Sequence, residues 1–240
     1  MKPFIIANWK QYLSIKESAK LFAQLLQLDR DSKMNGVDLI IAPSFVALPV
    51  LDAAKTKIKI AAQDCGATLV GAHTGAVSPT DLRILGATHV ILGHSERRAE
   101  YFETDALIAE KIKAARAAKV TPIVCVGETA AERAAKKTRV VVGAQVRAAL
   151  SAVKDPSELI FAYEPRWAIG MGTAVAPEDA AQIHAYIKDL ANAPVRVCYG
   201  GSVSPENIAA LLAEKNIDGV LIGGASAKFA SLAACIKNAK

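Results

Sequence analysis

The chain has 240 residues, 52% of them apolar and 5% aromatic, with a formal net charge of +6. That apolar share is ample for a large core and excludes a disordered chain, while basic residues spread along helical segments argue against nucleic acid and leave a field able to steer an anionic substrate. No apolar run reaches the length of a bilayer span, Met1-Lys2-Pro3 leads into a strand-like run without a signal-peptide pattern, and Cys65, Cys125, Cys198 and Cys235 are too scattered for a disulfide framework or a zinc site. A cytoplasmic protein with free thiols, no metal and no membrane partner is the expectation.

Eight short apolar runs rich in β-branched residues follow one another: Phe4 to Asn8, Val37 to Ala42, Ile58 to Gln63, His89 to Gly93, Thr121 to Val126, Leu159 to Tyr163, Val195 to Tyr199 and Gly219 to Ile222. They are near-continuous rather than alternating, as strands buried on both faces are. Helical patterns lie between successive runs. Ser14 with Glu17 and Thr129 with Glu132 have capping-box spacing, and Ser78-Pro79 and Ser204-Pro205 put a cap residue before a proline at the first helical position. Eight right-handed strand–helix units without a linker predict an α/β protein, a closed (β/α)₈ barrel forming one catalytic domain over residues 1–240. The alternation alone leaves a doubly wound open sheet as the structural alternative.

A barrel of this kind assembles its active site at the C-terminal ends of the strands. Asn8 and Lys10 follow the first run, His94, Ser95 and Glu96 the fourth, and Glu164 the sixth; Gly200-Gly201-Ser202 follows the seventh and Gly223-Gly224-Ala225-Ser226 the eighth. Glycine pairs that each lead into a helix expose backbone N–H groups to an anion, so a phosphate monoester is expected there, with Ser202 as an added donor. His94 stands where a strand gives way to a helical turn, whose positive end disfavours imidazolium; the neutral ring suits a hydrogen-bond donor better than a base. Lys10 supplies a fixed charge near a developing oxyanion. Glu164 as base, His94 as donor and Lys10 as cation beside a phosphate cradle fit proton abstraction next to a carbonyl. The Pro-bounded, Gly-rich segment 165–173 reads as the lid that keeps water out. His73, His89 and His184 read as structural.

Asn8-Trp9-Lys10, Ile91-Leu92-Gly93-His94-Ser95-Glu96-Arg97-Arg98, Pro122 to Glu128, Tyr163-Glu164-Pro165 with Trp167 to Gly170, and Tyr199-Gly200-Gly201-Ser202-Val203 together resemble the triosephosphate isomerase family, in order and over nearly the whole chain. The resemblance implies the cofactor-free interconversion of dihydroxyacetone phosphate and D-glyceraldehyde 3-phosphate in glycolysis and gluconeogenesis. Glu164 then resembles the proton-shuttling base, His94 the neutral electrophile, Lys10 and Asn8 the substrate-orienting pair and Glu96 a partner behind them, while Gly170, Ser202, Gly223 and Gly224 resemble phosphate contacts. The long connection 64–79 resembles a dimer loop with Thr74 near its tip, which implies a homodimer.

Two departures accompany the resemblance. Ala76 stands where the family usually has a glutamate expected to pair with an arginine like Arg97 across the interface, which predicts a poorly paired Arg97 and a weaker dimer. Arg166, Met171 and Thr173 are unusual in the lid and predict altered lid kinetics. The alternative to an isomerase is a catalytically impaired barrel that binds a phosphate ligand.

Overall fold

A computed structural model describes residues 2–53, 56–168 and 175–239. Eight parallel strands, β1 (Phe4–Asn8), β2 (Asp38–Ala42), β3 (Lys59–Ala62), β4 (Ala87–Leu92), β5 (Thr121–Val126), β6 (Ile160–Tyr163), β7 (Arg196–Tyr199) and β8 (Gly219–Ile222), close into a barrel in sequence order. β1 pairs with β8 as well as β2, with Ile6 opposite both Ile40 and Leu221. Closure settles the choice against an open sheet. The helices are α1 (Ile15–Arg30), α2 (Pro79–Ile84), α3 (Ser95–Glu100), α4 (Asp105–Ala117), α5 (Ala130–Ala134), α6 (Thr138–Leu150), α7 (Pro177–Ala191), α8 (Ile208–Ala213) and α9 (Phe229–Asn238).

The near-continuous apolar runs follow from a core on each side of every strand. Phe4, Ile6, Ile40, Ala61, Ile91, Ile123, Ile160 and Leu221 point into the lumen and form one buried cluster. Their neighbours Ile5, Ala7, Leu39, Ile60, Val90 and Val124 point outward and join a second, larger cluster beneath the helices. Alternate residues therefore serve two cores, and none of these positions has water to face.

Helix starts follow the local signals with two exceptions. Ser14 and Thr129 form complete capping boxes with Glu17 and Glu132, and Ser78 caps α2 ahead of Pro79. At Ser204-Pro205, however, the backbone first makes a turn: the Asn207 side chain accepts the Ser204 N–H at 2.9 Å, and α8 begins only at Ile208. That bond joins the Ser204 N–H to the side chain three residues on, as the return bond of a capping box does, and α8 itself has no side-chain cap. Between β2 and β3 a 3₁₀ helix, Phe45–Val50, takes the place of an α-helix. Pro49 inside it has no N–H to give to an α-helical ladder.

Among the described residues no helix is long and apolar enough to cross a membrane. All four cysteines are free and buried.

Candidate active site

Lys10 leaves the end of β1 in a left-handed conformation, φ 47°, which is unfavourable for a residue with a Cβ and needs support on both sides. Its N–H donates to Asn8 Oδ1 at 3.1 Å, and its carbonyl accepts the Gln63 side-chain amide at 2.9 Å. Gln63 also donates to the carbonyl of Ala42 at 2.9 Å, so the end of β3 ties the ends of β1 and β2 together. The ammonium is aimed by Glu96, whose Oε1 lies 2.6 Å from Nζ. Asn8 and Glu96 thus hold Lys10 from its two ends.

His94 caps α3. Its Nδ1 accepts the Glu96 N–H at 3.3 Å, which leaves Nε2 to carry the single proton of a neutral ring. That nitrogen faces Glu164 Oε1 at 3.2 Å, and both side chains are almost fully buried. Glu164 Oε2 accepts the Ser95 N–H at 3.0 Å, whereas Oε1 is buried without a well-aligned donor among the described residues. A carboxylate oxygen so placed is costly for the fold. Burial first, then the charge of Glu164, pushes the thiols of Cys125 and Cys198 up, which makes them inert flooring beneath that carboxylate.

Two glycines make room for Glu164. A Cβ at Gly127 would lie 1.8 Å from the Glu164 carbonyl oxygen, and one at Gly200 would lie 2.7 Å from Glu164 Cγ. The backbone after β6 is fixed from the same side: the Glu164 N–H donates to Val126 O at 2.7 Å, and the Arg166 N–H to Glu128 O at 3.0 Å. The carboxylate of Glu128, fully buried, accepts from Trp167 Nε1 at 2.9 Å and from the Tyr163 hydroxyl at 3.2 and 3.3 Å. The Arg133 guanidinium stacks 4.1 Å over the Trp167 ring. Burial and then the charge of Glu128 push the Tyr163 hydroxyl far above its usual range, so it remains a donor.

Lys10, His94, Glu164, Ser202, Gly223 and Gly224 line one cavity of about 380 Å³ at the C-terminal mouth of the barrel. Asn8, Lys10, His94 and Glu96 line an adjoining cavity of about 450 Å³. Gly223 precedes a short 3₁₀ helix, Gly224–Ala227, and a Cβ there would sit 3.3 Å from Lys10 Cε. Ser202 departs from expectation in one respect. Its hydroxyl donates to the carbonyl of Ala168 at 2.7 Å and so braces the segment after β6. Across from it, the Tyr199 hydroxyl accepts the Val175 N–H at 3.0 Å. Gly170, Met171 and Thr173 lie outside the described residues. Thr74 is exposed on the 64–78 connection, away from both cavities within the chain.

Arg97 is well paired, contrary to what Ala76 suggested. Its Nη2 lies 2.9 Å from Asp64 Oδ2 and its Nε 2.6 Å from Glu103 Oε1, and the guanidinium stacks 4.4 Å over Tyr101. Buried Lys111 completes the group, 2.7 Å from Asp64 and 2.5 Å from Glu103. Two carboxylates of the same chain satisfy two cations. Burial works to raise Glu103, but hydrogen bonds from Lys111 and Arg97 outweigh it and hold the carboxyl below its usual range.

Sequence reasoning therefore missed Gln63, Glu128 and Asp64. Gln63 and Asp64 stand at the end of β3, the position that elsewhere in the barrel flagged site residues. Glu128 lies two residues beyond β5 and carried the same signal.

A family model described as triosephosphate isomerase matches residues 3–239. Proteins named triosephosphate isomerase from Pelobacter propionicus and Carboxydothermus hydrogenoformans are each 44% identical to the chain, the first over 96% of both sequences and the second over 98% of both. One of the same name from Roseiflexus sp. is 44% identical over 94% of this chain and 93% of its own. A match running from before β1 to the last turn of α9, on a closed eightfold barrel with an acid, an imidazole and a lysine at its mouth, has one consequence: the chain belongs to the triosephosphate isomerase family.

Proposed function

We propose that the chain interconverts dihydroxyacetone phosphate and D-glyceraldehyde 3-phosphate through an enediolate, with Glu164 as the base, neutral His94 as the electrophile and Lys10 as the fixed cation. The observation that carries this reading is the 3.2 Å approach of Glu164 Oε1 to His94 Nε2 in a buried cavity shared with Lys10. A substrate in that cavity meets a carboxylate oxygen without a well-aligned hydrogen bond and a ring nitrogen that carries a proton. Glu164 removes the proton next to the carbonyl, and His94 Nε2–H and Lys10 stabilise the charge that grows on the oxygen. The hydroxyl proton then passes between the two enediolate oxygens by way of His94 Nε2, and returning the carbon-bound proton to the neighbouring carbon completes the isomerisation, so no external oxidant or reductant enters.

Asn8 serves by holding Lys10 in its strained turn, and Glu96 by aiming its ammonium. The phosphate lies against the backbone N–H groups of Ser202, Gly223 and Gly224, with Gly170, outside the described residues, as the further contact that the family resemblance implies. The active form is a cytoplasmic homodimer in which the 64–79 connection, with Thr74 near its tip, reaches the neighbouring copy's site. Nothing in the arrangement favours phosphate binding without catalysis, because base, donor and cation stand within reach of one another.

The test is the coupled-assay rate of glyceraldehyde 3-phosphate isomerisation by the purified chain beside a Glu164→Gln variant. Loss of at least about a thousandfold in kcat is expected, within the range for removing a general base. Equal rates in two folded proteins would remove Glu164 from the mechanism.

A further inference from the structure

We propose that Arg98 is a positioning residue for the imidazole: its guanidinium ties the end of β4 to the end of β5 and so sets where His94 meets Glu164. The inference rests on the reading of His94 as the electrophile and Glu164 as the base. The ladder between β4 and β5 has its last partners at Leu92 and Val124. The next residues, Gly93 and Cys125, are joined by a side chain instead. Arg98 Nε donates to the Gly93 carbonyl at 2.8 Å and Nη2 to the Cys125 carbonyl at 3.2 Å. Nη1 is anchored 2.6 Å from Oδ1 of Asp105, the first residue of α4. A planar fork of donors suits acceptors on two separate chain ends, which the point charge of a lysine cannot span.

Each of those carbonyls leads to a reacting group. Gly93 immediately precedes His94, and the Arg98 N–H donates to the His94 carbonyl at 3.1 Å, so one residue holds the peptides before and after the imidazole. Cys125 precedes Val126, whose carbonyl accepts the Glu164 N–H at 2.7 Å. Gly93 has a φ of 68°, and a Cβ there would lie 2.7 Å from Ile108 Cδ1 and 3.1 Å from Arg98 Nη2. The turn that aims His94 is thus one that glycine makes easily, and the guanidinium fills the space a side chain would take. The Arg98 side chain is 10% exposed and its acceptors all belong to its own chain, so a second copy over the mouth leaves these bonds in place. Releasing the fork frees the end of β4 from β5, while Ser202, Gly223 and Gly224 follow β7 and β8 and stay where they are. Catalytic geometry should then suffer and phosphate binding should not.

The experiment compares the parent chain with Arg98→Lys, Asp105→Asn and His94→Gln, and places each of the Arg98 and Asp105 substitutions in the His94→Gln chain as well. For every protein kcat and KM are measured for glyceraldehyde 3-phosphate and Ki for inorganic phosphate, with Tm and sedimentation at the assay concentration. Arg98→Lys keeps the charge and loses the fork; it is expected to lower kcat about thirtyfold, with KM and phosphate Ki within about threefold. Asp105→Asn keeps the fork and loosens its anchor, with an expected fall of about fivefold, and it decides the matter if Arg98→Lys does not fold. In the His94→Gln chain both falls should shrink to within about twofold, because no imidazole is left to aim, while the drop in Tm should be the same in either background. Unchanged kcat in the folded variants overturns the inference. So does an equal loss of kcat with and without His94, or a loss that tracks failure to assemble, and each of these leaves the assigned reaction intact. A His94→Gln chain as fast as the parent overturns the reading of His94 as electrophile and the inference with it.

Discussion

His89 and His184 show how single residues set the conditions under which this barrel is stable. His89 lies in β4 with Thr88 Oγ1 2.7 Å from its Nδ1, and burial, followed by the charges of Lys59 and Arg196, lowers its pKa to about 4. His184 on α7 is fully buried, with Nδ1 3.3 Å from the Asn216 carbonyl, and burial drives its pKa down to about 3. In the unfolded chain both titrate near 6.5. Their folded values lie below that, so the unfolded state binds the extra protons. Stability is complete above pH 6.5 and falls as pH drops through the window toward 4, by about 1.4 kcal/mol per pH unit for each histidine. Between pH 7 and pH 5 the urea midpoint at fixed protein concentration should therefore decline. A His184→Gln variant should flatten that decline by about half, whatever its absolute stability; an unchanged slope would show that His184 does not carry the acid response.

At the scale of elements, the barrel's chemistry depends on three pieces being held in register: β3, α3 and α4. Asp64 follows β3, Arg97 lies on α3, Glu103 in the connection after it and Lys111 on α4, and their side chains meet in one largely buried group. Since α3 also presents Glu96 and is capped by His94, this group anchors the helix that aims both Lys10 and the imidazole. Lys111→Met should leave Asp64 and Glu103 facing each other with only Arg97 between them, at a cost of about 3 to 5 kcal/mol. For a chain of this size that corresponds to a drop in Tm of roughly 5 °C or more, readable by thermal denaturation. A drop under 2 °C would show that the group does not hold the elements together.

The same group marks where sequence legibility ends. Strand ends, capping boxes and the meeting of Lys10, His94 and Glu164 at one mouth were legible because each rests on a local signal: a buried apolar run that stops, a serine or threonine three residues before a glutamate, a polar residue just past a strand. Residues 64, 97, 103 and 111 have no periodic spacing, and only the closed barrel brings them together. Ala76 accordingly suggested an orphaned Arg97, when the compensating carboxylate Asp64 was already in the chain. Ser204-Pro205 carried a genuine local signal, yet the chain turns before α8 begins at Ile208. The strain at Lys10 was equally invisible, since a positive φ is created by the tertiary bonds from Gln63 and Asn8 that tolerate it.

For the whole molecule, the pairing of Arg97 within its own chain changes what a homodimer must rely on. Arg97 does not wait for a partner's carboxylate, so an interface between copies would draw on apolar surface. The cavity of about 450 Å³ beside the site has Tyr12, Phe45 and Tyr101 in its lining, and their chain neighbours Val46 and Phe102 are 67% and 82% exposed. Val70, on the same connection as Thr74, is 90% exposed. Large apolar side chains this open, around a cavity and on a projecting loop, are what association between copies would cover. Sedimentation across a dilution series should give a dimer at micromolar concentration that persists in 1 M salt, because hydrophobic burial is not screened as ion pairs are. Phe102→Glu should shift the chain to monomer at the same concentration, since burying an unpaired charge in a small interface costs several kcal/mol. Isomerase activity should fall with it, as Phe102 follows the Arg97–Tyr101 stack and precedes the anchoring Glu103. A parent that sediments as a monomer at micromolar concentration while fully active would show that one chain is sufficient for the chemistry, and the exposed apolar side chains would then need another explanation.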